Sequence, residues 1–177
     1  IAVWDLVAKI EEKPLHRVLA ERFSTGNVPD RVFCYVGGGW YRPSQTTKDL
    51  QDEMRGHLNA GYSMLKMKVG GLSLAEDCKR IEAVLKIVGD SRSLAVDANC
   101  VFDPKQAVDC GKAIEPFGLR WYEEPCHPQD YQAYKAVAKS YAQPLAACEN
   151  LFSPRELENF LLYSGFRSEK DIIQIDP

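Results

Sequence analysis

GYSMLKMKVGG, Gly61–Gly71, is the stretch that decides the fold. A turn glycine leads into a short, mostly apolar run, and a glycine pair closes it. Within the run Lys66 and Lys68 stand at i and i+2. In a strand those positions share a face, so both ammonium groups enter one space. Two like charges there are unfavourable unless something offsets them. Carboxylates able to do so recur downstream at Asp97, Glu123, Glu149 and Asp176, in steps of 29, 26, 26 and 27 residues from Lys68. Each step has the length of one strand–helix unit.

The flanking sequence alternates accordingly. Strands are predicted at Arg31–Val36, Ser63–Val69, Ser93–Asp97, Arg120–Glu124, Leu145–Cys148 and Asp171–Ile175. Helices are predicted at Thr46–Ala60, Leu74–Val88, Asp103 to about Glu115, Asp130–Tyr141 and Ser153–Tyr163. Ile81, Val84, Leu85 and Val88 form one apolar helix face. Thr46 or Thr47, Asp103 and Ser153 are suitable caps, the last two followed by proline. Residues 1–23 read as helix interrupted by Pro14. Short apolar strands alternating with helices indicate a parallel α/β sheet. Chemistry-bearing residues end five consecutive strands, and all strand ends surround one mouth only in a barrel. A (β/α) barrel is therefore expected over an open sheet. About six of its eight strands are legible, so the chain reads as a fragment, with residues 1–27 ending a preceding domain and linker and residues 28–177 forming a partial barrel.

Composition narrows the class. Hydrophobic residues make up 45% and charged residues 27% of the 177, an ordinary balance for a globular protein. A net charge of -3 gives no electrostatic case for nucleic acid or an anionic membrane. No apolar run is long enough to span a bilayer. Six scattered cysteines without a CxxC pair fit reduced thiols in a cytoplasmic setting better than a disulfide framework.

Asp97, Glu123 and Glu149 end three adjacent predicted strands. One such acid would simply cap its following helix. Three in register need a cation, and oxygen-only donors favour a hard divalent ion, Mg2+. Strand alternation turns one of Glu123 and Glu124 inward, and the even spacing selects Glu123, leaving Glu124 a supporting role. Asn99 suits an amide contact to substrate or to a water on the metal, or else a turn. Lys66 and Lys68 are expected to depress each other's pKa, with burial acting the same way. A lysine brought toward neutrality can serve as a general base. The acid it would meet is the proton α to a carboxylate, the pattern of metal-assisted enolate chemistry. A Schiff-base aldolase using Lys68 and a non-catalytic remnant with a structural metal are the rival readings.

KMK at 66–68, DAN at 97–99, WYEEP at 121–125 and CEN at 148–150 together resemble the mandelate racemase branch of the enolase superfamily. The resemblance covers about residues 1–177. It implies a modified TIM barrel with a capping domain, of which residues 1–23 would be the last helix. It also implies metal ligands at Asp97, Glu123 and Glu149 and Lys68 as the base; Lys66, deeper along the strand, is expected to tune that base and help hold the substrate carboxylate. Asp176 would orient a catalytic histidine on the next strand. His16, His57 and His127 do not stand at that strand end, and that histidine and most of the cap are expected outside this chain. The GGGWYRP loop at 37–43, ENLFS at 149–153 and RSEKDIIQIDP at 167–177 further resemble D-tartrate dehydratases. The implied activity is magnesium-dependent dehydration of a hydroxy-carboxylic acid, tartrate or a related acid sugar, by a homo-oligomer in full-length form. Racemisation, epimerisation and cycloisomerisation would use the same ligands and lysine.

Overall fold

The computed structural model describes residues 1–24, 28, 29 and 31–176. Linker residues 25–27, together with Asp30 and Pro177, lie outside the described residues. The chain divides into two units, Ile1–Cys34 and Tyr35–Asp176.

In the first unit α1 (Ala2–Ile10) and α2 (Leu15–Phe23) are separated at Pro14, where a helix cannot keep its ladder. Trp4 meets Phe23 edge-on at 5.4 Å, and the Arg22 guanidinium lies 5.5 Å from the Trp4 ring centroid. Lys13 pairs with Glu21 at 2.7 Å.

The second unit is a six-stranded sheet in which every pairing is parallel and the strand order follows the sequence. Its strands are β1 (Val36–Gly38), β2 (Leu65–Lys68), β3 (Leu94–Asp97), β4 (Tyr122–Glu123), β5 (Leu145–Ala147) and β6 (Ile172–Ile173). The connecting helices are α3 (Thr47–Asn59), α4 (Leu74–Val88), α5 (Pro104–Ile114) and α6 (Tyr131–Ser140), and α7 (Pro154–Tyr163) joins β5 to β6. This is the arrangement of consecutive strands in a (β/α) barrel.

Each βα turn ends in a side chain able to accept a bond from the free amides of the first helical turn. Thr46 with Asp49, Ser73 with Glu76, Asp103 with Gln106 and Ser153 with Glu156 form complete capping boxes, while Asp130 accepts from the Ala133 amide. Each cap stabilises its helix by about 1 kcal/mol. The caps also fix where each strand must release the chain, and hence which residues stand at the mouth.

Strand alternation makes two cores. Leu65, Met67, Leu94, Val96, Tyr122, Leu145 and Ala147 join the helices in the larger one. Met64, Ala95, Trp121 and Ala146 form a smaller one on the opposite face, with Ile172 against it. Lys66 and Lys68 keep the parity of Met64, so the sheet directs both away from the helices.

The observed strands are shorter than predicted. β1 begins at Val36 rather than Arg31, because the ladder to Leu65, Lys66 and Met67 is made by Val36, Gly37 and Gly38. The β-rich run RVFCY precedes that ladder. β4 stops at Glu123 because Glu124 has φ +40°, incompatible with an extended strand. Asp171 stays outside β6. Its carboxylate accepts bonds from the Leu145 amide at 2.8 Å and from Arg167.

All six cysteines are free. Cys34 is exposed, whereas Cys110 and Cys126 are buried and burial pushes each thiol up to about 12. Since the thiolate is the reactive form, Cys34 should react promptly with a disulfide reagent at pH 8, and Cys110 and Cys126 only after unfolding. Peptide mapping after timed labelling checks this, and rapid native labelling of Cys110 would contradict it.

Candidate active site

The parallel register sets Lys68 opposite Asp97, and Asp97 opposite Glu123. Three adjacent strands thus end in charge at one level. The side chains interlock accordingly. Lys68 Nζ donates to Asp97 Oδ2 at 2.6 Å. Lys66 Nζ lies 3.1 Å from the same oxygen and donates to Glu123 Oε1. Trp121 Nε1 donates to Glu123 Oε2 at 2.8 Å. Asp97 and Glu123 are wholly buried, so this row of alternating charge is held where water screens little. Aromatic rings complete the enclosure. Lys66 Nζ lies 5.4 Å from the Tyr35 centroid and Lys68 Nζ 4.5 Å from that of Trp40, within cation–π range.

These partners decide the protonation states. Burial disfavours the Lys66 ammonium, but the bond to Glu123 and the charges of Glu123 and Asp97 outweigh it, raising the group above the ordinary lysine value. The expectation that the neighbouring lysine depresses Lys66 is overturned: the adjacent carboxylates dominate over the like charge. Burial also opposes ionisation of Asp97. Bonds and charge from Lys68 and Lys66, with the Asn99 amide, still bring it below the usual carboxylate value. Glu123 moves the other way, raised by burial and by the Asp97 charge despite Lys66 and Trp121.

The remaining expected residues fall as follows. Glu149 is half-buried and makes no hydrogen bond or ion pair among the described residues. Burial raises it first, then the charges of Glu124 and Asp97. Asn99 has φ +43° and an exposed side chain, and its amide donates to Asp97 Oδ1 at 2.8 Å. Its backbone thus makes a turn. Asp176 is exposed, three residues beyond β6. Among the described residues no three His, Cys, Asp or Glu side chains are gathered as a ligand set for an ion. Instead the Lys66 ammonium bridges Asp97 and Glu123, and the Lys68 ammonium pairs with Asp97.

The donor set nevertheless suits a hard divalent cation. Asp97 and Glu123 already share one positive charge, Lys66, and Glu149 lies within electrostatic reach with its carboxylate uncommitted. All donors are oxygens, as magnesium prefers.

Glu124 is more than an outward neighbour of Glu123. Both are fully buried, since the positive φ at Glu124 breaks strand parity. Its carboxylate accepts Asn150 Nδ2 at 2.9 and 2.8 Å and Cys100 Sγ at 3.2 Å. It thereby ties the loops after β3 and β5 together. Asn99, Cys100, Glu124 and Cys148 are four of the six non-glycine residues with positive φ among those described, and all lie just beyond β3, β4 and β5. Strain concentrated at one end of a sheet marks a working site. Cys148, with φ +96°, turns into the helix-side core.

Residues 49–177 match the Enolase C-terminal domain-like family. The chain belongs to that family. An L-talarate/galactarate dehydratase of Salmonella typhimurium is 35% identical over 176 residues, covering 99% of this chain and 42% of that protein. An arabinonate dehydratase of Saccharolobus solfataricus is 28% identical over 175 residues, covering 99% of this chain and 44% of that one. The crystal structure of L-talarate dehydratase from Polaromonas sp. JS666, complexed with Mg and L-glucarate, superposes with a TM-score of 0.81 at 31% identity, over 99% of this chain and 46% of that one. Epimerases and cycloisomerases are also among this family member's relatives. The chain spans less than half the length of the curated relatives it matches.

Lys66→Met would leave Glu123, among the described residues, with Trp121 as its remaining partner. Stripping one member from a buried ion pair costs about 3–5 kcal/mol. Urea unfolding should show a loss of that size, and a loss below about 1 kcal/mol, typical of exposed pairs, would contradict the buried network.

Proposed function

We propose that the enzyme carrying this chain is a magnesium-dependent hydro-lyase acting on an acid sugar, with Lys68 as the base that removes the proton α to the substrate carboxylate. The observation that carries this reading is Asp97 Oδ2 shared between two lysines, 2.6 Å from Lys68 and 3.1 Å from Lys66, at the ends of adjacent parallel strands. A purely structural ion pair needs one lysine, whereas proton abstraction beside a bound anion uses two, one to take the proton and one to stay charged.

The roles then separate. Lys66, held charged by Glu123 and Asp97, stays an ammonium and attracts the substrate carboxylate. Lys68, the last residue of β2 and two residues nearer the mouth than Lys66, is the group a substrate meets. The Lys68–Asp97 ion pair corresponds to the protonated lysine after abstraction, and the neutral amine is the form that accepts the α-proton. Asp97, Glu123 and Glu149 would hold the magnesium ion, which supplies Lewis-acid stabilisation of the charge developing on the substrate carboxylate. Loss of the β-hydroxyl as water leaves an enol that tautomerises to a 2-keto acid. The leaving hydroxyl needs one proton, assigned to a histidine on the following strand that Asp176 would orient. Trp40, over Lys68, would wall the substrate pocket.

Acid sugars are favoured because the relatives covering nearly the whole chain include arabinonate and L-talarate/galactarate dehydratases. Tartrate is the particular acid implied by the resemblance of the GGGWYRP, ENLFS and RSEKDIIQIDP runs to D-tartrate dehydratases. Epimerisation is the second reading, supported by an L-Ala-D/L-Glu epimerase of Bacillus subtilis that is 33% identical over 111 residues. It would share the base and differ in returning a proton instead of losing water.

The test is a panel of aldonic and aldaric acids with magnesium, followed for 2-keto acid and for exchange of the α-proton in deuterium oxide. Lys68→Ala should lower both rates by about 10²–10⁴-fold, the usual worth of a positioned base, and should leave magnesium binding intact. Near-native turnover by Lys68→Ala would refute the assignment. Exchange without keto acid would favour the epimerase reading.

A further inference from the structure

Two charged residues of α4 are buried where an apolar stripe would continue. Asp77 stands four residues before Ile81 and seven before Val84, and both it and Arg80 are no more than 9% exposed. Neither touches the row of charges at the mouth. Burying a guanidinium and a carboxylate on a helix is costly unless every bond is made, and their bonds go to backbone at two strand ends.

Arg80 Nη1 donates to the Lys68 carbonyl at 3.0 Å and to Asp77 Oδ1 at 3.1 Å, while Nη2 donates to the Gly39 carbonyl at 2.6 Å. Gly39 immediately follows β1 and Lys68 ends β2, just past the last β1–β2 pair, Gly38 with Met67. The guanidinium fork therefore spans the two strands where their own ladder stops. Asp77 Oδ2 accepts the Gly70 amide at 2.7 Å. The Tyr41 hydroxyl donates to Asp77 Oδ1 at 2.6 Å and lies 3.4 Å from the Lys68 carbonyl, and the Tyr41 ring covers Arg80 at 4.1 Å. Burial and the Asp77 bond raise the Tyr41 phenol well above its ordinary value, so it remains a donor. Glycine at 71 permits the approach, since a Cβ there would lie 2.5 Å from the Tyr41 ring. On its other side β2 is held by the Val69 amide bonded to the Asp97 carbonyl at 2.9 Å.

We infer that Asp77, Arg80 and Tyr41 are positioning residues. They clamp the backbone of Lys68 to the loop after β1 and so fix both the lysine and the Trp40 ring that covers it. This rests on the reading of Lys68 as base. A fork suits this place, because the guanidinium reaches the Lys68 and Gly39 carbonyls from two separate nitrogens in a fixed plane, whereas a lysine at position 80 would offer all its donors from one atom on a shorter stem. Arg80→Lys thus separates charge from geometry, and Tyr41→Phe keeps the ring while removing the hydroxyl.

Two measurements on the enzyme carrying this chain decide the matter. The first is kcat, KM and thermal midpoint for each variant on the acid that the wild type turns over. Misplacing a base by about 1 Å costs on the order of 10²-fold, so Arg80→Lys should lose kcat by about 10- to 100-fold, with KM little changed and the protein folded. Tyr41→Phe should lose less, in the same direction. The second is independent of turnover: the rate at which an amine reagent modifies Lys68 relative to exposed Lys139, by mass spectrometry at fixed pH. Freed from its enclosure, Lys68 should be modified several-fold faster in both variants. Unchanged kcat and an unchanged Lys68:Lys139 ratio in folded variants would overturn the clamp, whatever the loss in thermal midpoint. If the wild type turns over no acid on the panel, the dehydratase reading falls, and the modification ratio still decides the clamp.

Discussion

The site depends on one carboxylate serving two ammonium groups. Asp97 has no exposure to water, and its Oδ2 atom meets both Lys68 and Lys66. It is the carboxylate that Lys68 pairs with, and Lys66 divides its charge between it and Glu123. A lone ammonium on an inward strand face would be desolvated without compensation, and two would repel. The parallel register supplies the answer by setting the last residue of β2 against the last residue of β3 and that against the last of β4. Strand length, capping and register thus become electrostatics. Each capped helix ends its βα loop at a fixed point, and β2, β3 and β4 each end in one charged side chain at the same level.

The loops beyond those ends are held under strain. Asn99, Cys100, Glu124 and Cys148 all have positive φ without being glycine. Their cost is offset by specific bonds: Asn99 to Asp97, and Cys100 and Asn150 to Glu124. Behind β2, Arg80 and Asp77 perform the same service for the backbone that carries Lys68. The site is therefore anchored from the mouth loops and from the helix layer, with the charged row between them.

Much of this was legible in the residues. The helix boundaries followed from caps such as Ser73 and Asp103, whose preference is local, and α4 spans Leu74–Val88 as its periodicity indicated. That Lys66, Lys68, Asp97 and Glu123 share one mouth followed from spacing and parity. Parity failed where the backbone left the strand: at Glu124 a positive φ buried a side chain that alternation had turned away. The raised pKa of Lys66 was not legible either, because it depends on distances to Glu123 and Asp97 that spacing cannot give. The strand at 31–36 was misplaced because β-branched and aromatic residues signalled it, whereas the ladder is made by Val36 and two glycines. Asp77 and Arg80 left a readable trace, two charges at core positions of an amphipathic helix, that the apolar reading of α4 passed over.

The central claim is that the acids at the ends of β3, β4 and β5 serve a divalent cation, with the lysines flanking it. Calorimetric titration of magnesium into the enzyme carrying this chain, beside its Asp97→Asn variant, tests this most directly. One ion per chain in the wild type and no measurable binding by folded Asp97→Asn is the expected result. Undiminished magnesium binding by Asp97→Asn would contradict it.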